Sequence, residues 1–428
     1  MRRVLGAACL AAALLAGPLA AQEEEPDPAG ILEALLGSLL GFTEVKPEEL
    51  ERDVAEVGGI AFRASVPLHF MTRAELTRYL EEVLRDEYPE EKARADQRTL
   101  VAFDLIAPDA DLRGMRARLL EDNIVGFYDE RPDRRKLYAV SDDRRLTPAN
   151  QLVMAHELRH ALQDQYLDLH RALPDEVGDF DDRRLALISL LEGDATLVME
   201  RYLVRRLPGG VDNERRLGDL DLSEMALPGA GFEGVPTVLQ AQLVMPYLAG
   251  RDFAMAVWKR GGWDAVRAAW SAPPRSTEQV LHPEKFFAGE APEEVVLGYR
   301  PDGGTLVKEG VLGELMTRSL LGAGAEEAAR GWGGDRFAVW DVHGRTLLVW
   351  ASSWDTASDR AEFLAGARAR FAPYPRRDDR GFSVFTYGAR RFAWGESDGR
   401  VILISADEPG LLEKALAAFL DNARKRPG

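Results

Sequence analysis

The sequence predicts an α+β protein in two parts, and three observations carry that reading. Strand-like runs at 66–71 and 124–140 lead into two long apolar runs of helical character, at about 148–166 and 183–206. Residues 207–300 read as mainly helical. Beyond about residue 300 the pattern changes to two hairpin-plus-helix runs that share the string Arg-Phe-Ala. A chain of 428 residues exceeds one ordinary domain. Its composition, 46% hydrophobic and 29% charged, is that of a soluble globular protein with a sizeable core.

The first residues, MRRVLGAACLAAALLAGPLAAQEEE, carry two arginines, an apolar stretch from Val4 to about Leu19, and small residues before Gln22. This is the pattern of a secretory signal peptide (1–21) cleaved after Ala21. A secreted or periplasmic protein of a bacterial envelope is expected. No stable membrane insertion is expected after cleavage, because the apolar run is short for a spanning helix and an acidic segment follows it. Cys9 is the only cysteine, so the expected mature chain has no disulfide, thiolate ligand or cysteine nucleophile. The net charge is −17, and −19 once Arg2 and Arg3 are removed. With no Lys/Arg-rich block, the chain lacks the basic face that nucleic acid requires. Residues 22–45 are expected to be an acidic, disordered segment, interrupted by the apolar patch ILEALLGSLLGF at 31–42.

The remaining elements follow in order. VPLHFM reads as a strand, and the following helix has Thr72 as N-cap with Glu75 three positions on, the spacing of a capping box. IVGFYDERPDRRKLYAV (124–140) reads as a hairpin around a polar turn. In LTPANQLVMAHELRHALQDQYL, Thr147 can cap and Pro148 suits the first helical position. RRLALISLLEGDATLVMERYLVRR (183–206) is a second long helix, and HRALPDEVGDFDD before it is a loop. Loops are expected at LPGAGFEGVP and around APPRSTEQVLHPEKF. In the last third, 336–351 is a hairpin turning at Gly344, 356–371 a helix, 391–406 a second hairpin and 409–423 a second helix. GWGGDR (331–336) lacks the lysine and spacing of a phosphate loop and reads as a tight turn into the first hairpin.

The chemistry concentrates at LVMAHELRHALQDQYLDLH (152–170), which holds three of the six histidines. His156 and His160 are spaced i, i+4, which places both imidazoles on one helix face. Neutral imidazoles so placed can share one zinc ion at about 2.0–2.1 Å each. Glu157 projects roughly 100° round the helix, beside such a metal, where a base can take a proton from water. This is the H-E-x-x-H motif. A catalytic site needs a third protein ligand. Position 163 is Gln and position 166 is Tyr, which excludes a third histidine shortly after the motif. The candidates are Glu192, an acid inside an apolar helix, and His170. A buried ion pair to an arginine is the other explanation for Glu192. Gly193, next to it, would let two helices approach closely. Asp164 or Asp194 can orient an imidazole. Tyr247, Arg275 and His282 are candidate donors to a developing oxyanion, with Tyr247 and His282 taken as catalytic candidates. His69 and His343 read as structural or exposed.

HELRHALQDQ followed by a glutamate on the next long helix resembles the gluzincin, or thermolysin-like, branch of zinc metallopeptidases. The resemblance covers about residues 60–290 in element order and is specific at the motif and at Glu-Gly-Asp-Ala. It implies a Zn2+ cofactor, His156, His160 and Glu192 as ligands, Glu157 as general base, and Asp164 at the family's Asp position. It implies a zincin-like core over 46–300, with a mixed sheet, the H-E-x-x-H helix and the Glu helix. The hairpin before the motif would supply the edge strand that binds extended substrate. Thirty-one residues separate His160 from Glu192, more than in thermolysin itself. Residues 301–428, read as a separate α+β domain of two ββα repeats, have no counterpart in that group.

The function implied is an exported zinc metallopeptidase acting on peptide or protein substrates. The alternatives are a non-catalytic envelope binding or assembly protein on a zincin scaffold, and a precursor whose acidic N-terminal segment covers the cleft. Oligomeric state is not encoded in any motif found.

Overall fold

The computed structural model describes residues 45–172, 181–207, 210, 234–322, 326–372, 374–379 and 381–425. The expected signal peptide, the 22–44 segment and most of the loops expected at 170–182 and 227–236 lie outside the described residues.

The first part runs α1 (Pro47–Val57), β1 (Leu68–Met71), α2 (Arg73–Glu87), α3 (Glu90–Ala102), α4 (Leu112–Asn123), β2 (Gly126–Asp129), β3 (Lys136–Val140) and α5 (Pro148–Leu167). It continues with the single turn α6 (Leu169–Ala172), α7 (Asp182–Arg206), α8 (Thr237–Ser271), α9 (Thr277–Leu281) and α10 (Pro283–Ala288). Local chemistry fixes several starts. Thr72 accepts the Glu75 backbone N–H while Glu75 accepts that of Thr72, a complete capping box for α2. Thr147 caps α5 through the Asn150 N–H, with Pro148 at the first helical position. Asp181 caps α7 through the N–H groups of Arg183 and Arg184.

β1, β3 and β2 form a three-stranded sheet in that spatial order, with β1 parallel to β3 and β2 antiparallel to it. β2 is therefore an edge strand. α5 packs on this sheet and α7 packs on α5, burying Leu137, Ala139, Leu152, Met154, Val198 and Tyr202 in one cluster. α5 is covered on every side, and residues 151–164 are all buried. That explains its sequence, which has no polar face. α8 crosses α7 where two glycines meet: a Cβ on Gly193 would lie 2.0 Å from the Gly250 carbonyl. α8 leaves helical geometry at Gly261 and Gly262, where the φ of Gly262 is +64°.

The second part contains β4 (Gly304–Gly310), α11 (Gly313–Leu321), β5 (Trp332–Val342), β6 (Arg345–Trp354), α12 (Ala357–Arg370), β7 (Arg376–Asp379), β8 (Phe382–Tyr387), β9 (Arg390–Ser397), β10 (Arg400–Ala406) and α13 (Pro409–Lys425). The strands form one antiparallel sheet in the order β4-β5-β6-β10-β9-β8-β7. The molecule is thus α+β, with a three-stranded mixed sheet and a seven-stranded antiparallel sheet.

Three details differ from the sequence reading. GWGGDR is not a turn before the hairpin: β5 starts at Trp332, with a bulge between Trp332 and Gly334. The two hairpin-plus-helix runs, β5-β6-α12 and β9-β10-α13, are each flanked by a further strand, β4 and β8, so three strands and a helix recur. The two helices cover opposite faces: α12 packs Phe363 against Trp350 and Trp394, and α13 packs Leu412 and Leu416 against the Val349 and Ile402 side. The near-continuous apolar runs of β6 and β10 show that both faces are buried, but not which helix lies on which. The core also crosses residue 300. Leu100, Phe103 and Leu112 join Trp332, Phe337 and Trp350 in one cluster, with the Phe103 and Phe337 rings edge-on at 5.4 Å. Among the described residues, no helix is long and apolar enough to cross a membrane.

Candidate metal centre

The i, i+4 spacing on α5 and the neighbouring position of α7 bring three side chains to one point. His156 Nε2 lies 3.0 Å from Glu192 Oε2 and 3.0 Å from His160 Nε2. His160 Nε2 lies 3.3 Å from the same carboxylate oxygen. Four ligands held tetrahedrally at about 2.0–2.1 Å leave neighbouring donor atoms about 3.3 Å apart, so the spacing is that of three corners of such a site. Hydrogen bonds alone cannot satisfy this triangle. An imidazole nitrogen carries a hydrogen or a lone pair, never both, so one edge always lacks its proton. A divalent cation at the centre satisfies all three lone pairs. Two imidazoles and one glutamate are a donor set that holds catalytic zinc. Among the described residues, His156, His160 and Glu192 form the one fully buried cluster of this kind.

The ring of His160 is oriented by its neighbours. Gln163 Nε2 donates to Leu191 O at 3.0 Å and to Asp194 Oδ2 at 2.8 Å. With its nitrogen so engaged, Gln163 presents Oε1 to His160 Nδ1 at 2.9 Å. Nδ1 therefore carries the hydrogen, and a neutral His160 points a bare Nε2 at the centre. Asp194 is held in turn by Arg159, whose Nε and Nη2 each donate to it at 2.9 Å. Arg159 Nη1 donates to Gly58 O at 3.2 Å, tying the support to the end of α1.

Glu157 turns away from the triangle toward β2. Its Oε2 accepts the Tyr128 backbone N–H at 2.9 Å, and its Oε1 is buried with no hydrogen-bond partner among the described residues. The ladder explains the geometry. Val140 N–H bonds Val125 O, so Phe127 and Asp129 face β3 and the backbone groups of Tyr128 point off the sheet edge. One carboxylate oxygen is thereby anchored to the edge strand and the other is left without a bond.

Burial shapes the protonation of the cation-free cluster. It pushes the Glu157 carboxyl up to about 8 and holds His156 below the ordinary imidazole value. At His160 burial works against the charged ring, but the Glu192 carboxylate outweighs it and raises the imidazole to about 10.

The other sequence candidates fall elsewhere. Asp164 contacts no imidazole: it accepts the Tyr128 hydroxyl at 2.9 Å and the Leu169 N–H at 2.7 Å, with Arg135 at 3.0 Å. Asp194 acts on His160 only through Gln163. The Tyr247 ring stacks on that of His156, with centroids 5.8 Å apart. His282 is held by Glu314 at 3.0 Å, and that carboxylate also takes Arg318. This hydrogen bond explains its position between α9 and α10 without a catalytic role. His170 sits on α6, outside the cluster, and Arg275 is exposed. His69 is exposed on β1, and His343 forms the β5–β6 turn with a φ of +53°. The sequence reading missed Arg159, the Tyr128 N–H and Gln163 as a positioning group. A signal was present: Arg159 and Gln163 are polar residues in a helix with no solvent face, and buried polar groups need partners.

A domain family described as a domain of unknown function (DUF8575) matches residues 296–415, which take in the seven-stranded sheet, α11, α12 and the first turns of α13. No curated protein and no solved structure matches the chain.

Proposed function

We propose that the chain is a zinc-dependent metallopeptidase with a zincin-like core of the gluzincin type, exported by its N-terminal signal to the periplasm or exterior. The observation that carries this is the convergence of His156, His160 and Glu192 within 3.3 Å of one another, with Glu157 next in sequence but directed to the sheet edge. Zinc, when bound, supplies Lewis acidity and a water acidified toward neutral pH. The chain's own groups do the rest. Glu157 takes the water's proton on Oε1, the oxygen left without a bond, and delivers it to the leaving amine nitrogen. The Tyr128 N–H keeps the other oxygen fixed during both transfers. β2 is the edge strand beside Glu157, and its outward Tyr128 carbonyl is suited to accept from an extended peptide once the element covering the buried strand moves. Tyr247, over His156, remains the candidate oxyanion donor.

One observation favours a second reading, a binding or assembly protein on the same scaffold. His156, Glu157, His160 and Glu192 are each 3% exposed or less, so a peptide reaches them only if a covering element moves. Metal analysis of the purified protein with a peptide-library digest separates the two. About one zinc per chain and cleavage of any library peptide supports the peptidase. Bound zinc without cleavage supports the scaffold, and absence of zinc removes both.

A further inference from the structure

Arg159 is fully buried on α5, one residue before His160, and three other parts of the chain converge on it. Asp194 on α7, two residues beyond Glu192, accepts from Nε and Nη2 at 2.9 Å each. Gly58 O, where α1 ends, accepts from Nη1 at 3.2 Å. The guanidinium carbon lies 5.0 Å from the ring centres of Trp263 and Trp270, both on α8. Trp263 is pressed in turn against the residue after Gly58. A Cβ on Gly59 would lie 2.3 Å from Trp263 Cδ1, and Gly59 has a φ of +64°. The chain then runs along the end of α5. The Arg63 N–H donates to Gln165 Oε1 at 2.6 Å, Gln165 Nε2 donates to Ala64 O at 2.7 Å, and the Tyr166 hydroxyl donates to Ala61 O at 3.0 Å. Residues 58–66 thus strap the helix that carries both histidines and close the cradle of Arg159.

We propose that Arg159 is a positioning residue for the metal centre, and that the 58–66 strap, by holding Gly58 O and Trp263 against it, sets the affinity of the centre for zinc. This rests on the zinc reading above. The influence travels by two routes. One passes from Asp194 Oδ2 to Gln163 Nε2 at 2.8 Å, and from Gln163 Oε1 to His160 Nδ1 at 2.9 Å. The other is the spacing of α5 and α7. Arg159 adjoins His160, and Asp194 lies half a turn from Glu192, so the bidentate pair fixes how far the Glu192 carboxylate stands from the imidazoles. A staple between two buried helices does not need such a pair, since apolar residues of similar volume hold them as well or better. Apolar residues could not hold the acceptor that keeps the Gln163 amide nitrogen turned away from His160.

Two readouts on the full chain report the centre without activity: zinc affinity by competition with a chromophoric chelator, and the visible spectrum of the cobalt(II)-loaded protein. Arg159→Met keeps an apolar stem beside the tryptophans but no donor. It should weaken zinc binding roughly 10–100-fold, the value of an outer partner of a ligand, and shift the cobalt bands. Arg159→Lys, which keeps the charge but not the fork, should recover part of the loss. Gly58→Ala keeps the test open if Arg159→Met fails to fold. Its φ of −86° suits any residue, but the new carbon would lie 2.7 Å from Arg159 Nη1. It should weaken zinc binding roughly tenfold. Leu203→Ala, a truncation in the core shared by α1, α5 and α7, should lower the melting temperature and leave zinc affinity unchanged. Wild-type affinity in both Arg159→Met and Gly58→Ala, or an equal loss in Leu203→Ala, overturns the proposal and leaves the zinc reading standing. A wild-type protein that binds no zinc removes the reading itself, and the proposal with it.

Discussion

Gln163 Oε1 accepts the Nδ1 hydrogen of His160 at 2.9 Å, because the amide nitrogen is already taken by Leu191 O and Asp194. The side chain therefore sets the ring's tautomer without touching the centre. Gln163→Leu should keep the fold and lower zinc affinity about 10–100-fold, the usual effect of removing such a partner. Gln163→Glu, which can still accept, should retain most of it. Competition with a chromophoric chelator reads both, and equal affinity in all three proteins would remove the role.

Glu157 separates catalysis from metal binding. Glu157→Gln still accepts the Tyr128 N–H but cannot take up a proton at neutral pH. It should keep full zinc content and lose roughly 10²–10⁴-fold in peptide hydrolysis. Loss of metal with activity would make Glu157 a ligand, and unchanged activity would place the base elsewhere.

Gly193 and Gly250 let α7 and α8 touch. In Gly193→Ala the new carbon meets the Gly250 carbonyl at 2.0 Å, and backbone cannot yield as a side chain does. A loss of about 1–3 kcal/mol or more is expected by urea denaturation. Because Glu192 is the adjacent residue, zinc affinity should fall as well. A variant as stable and as zinc-avid as the wild type would show that the helices are not held this closely.

Asp182, buried at the start of α7, accepts the Thr277 N–H and hydroxyl, and burial pushes its carboxyl from 3.8 up to about 8. Between these values the folded protein holds a proton that the unfolded chain has released. The stability this contributes is complete below the unfolded value and is lost as pH rises through about 8. Asp182→Asn removes the titration. Its melting temperature should fall less than that of the wild type between pH 5 and pH 9. Parallel curves would refute the assignment.

Interaction within a few residues was legible in the sequence. The Thr72–Glu75 box, the Thr147 and Pro148 start of α5, and the facing of His156 and His160 depend only on helix geometry, which is fixed by the chain itself. The apolar surround of the motif likewise announced a buried helix. What lay beyond reach was every choice between partners distant in sequence. Glu192 rather than His170 meets the histidines because α7 packs along α5, an arrangement set by the burial of whole helix faces. Asp194 rather than Asp164 supports His160, through a glutamine, because Arg159 and the crossing of α7 place it there. His282 is one polar residue among several in its loop by sequence pattern alone, and its hydrogen-bond partner, Glu314, lies on a helix 32 residues on. The sequence by itself determined which residues share a turn. The tertiary structure alone decided which turns share a site, since non-local contacts are selected by the packing of the whole core and leave no periodic mark on the chain.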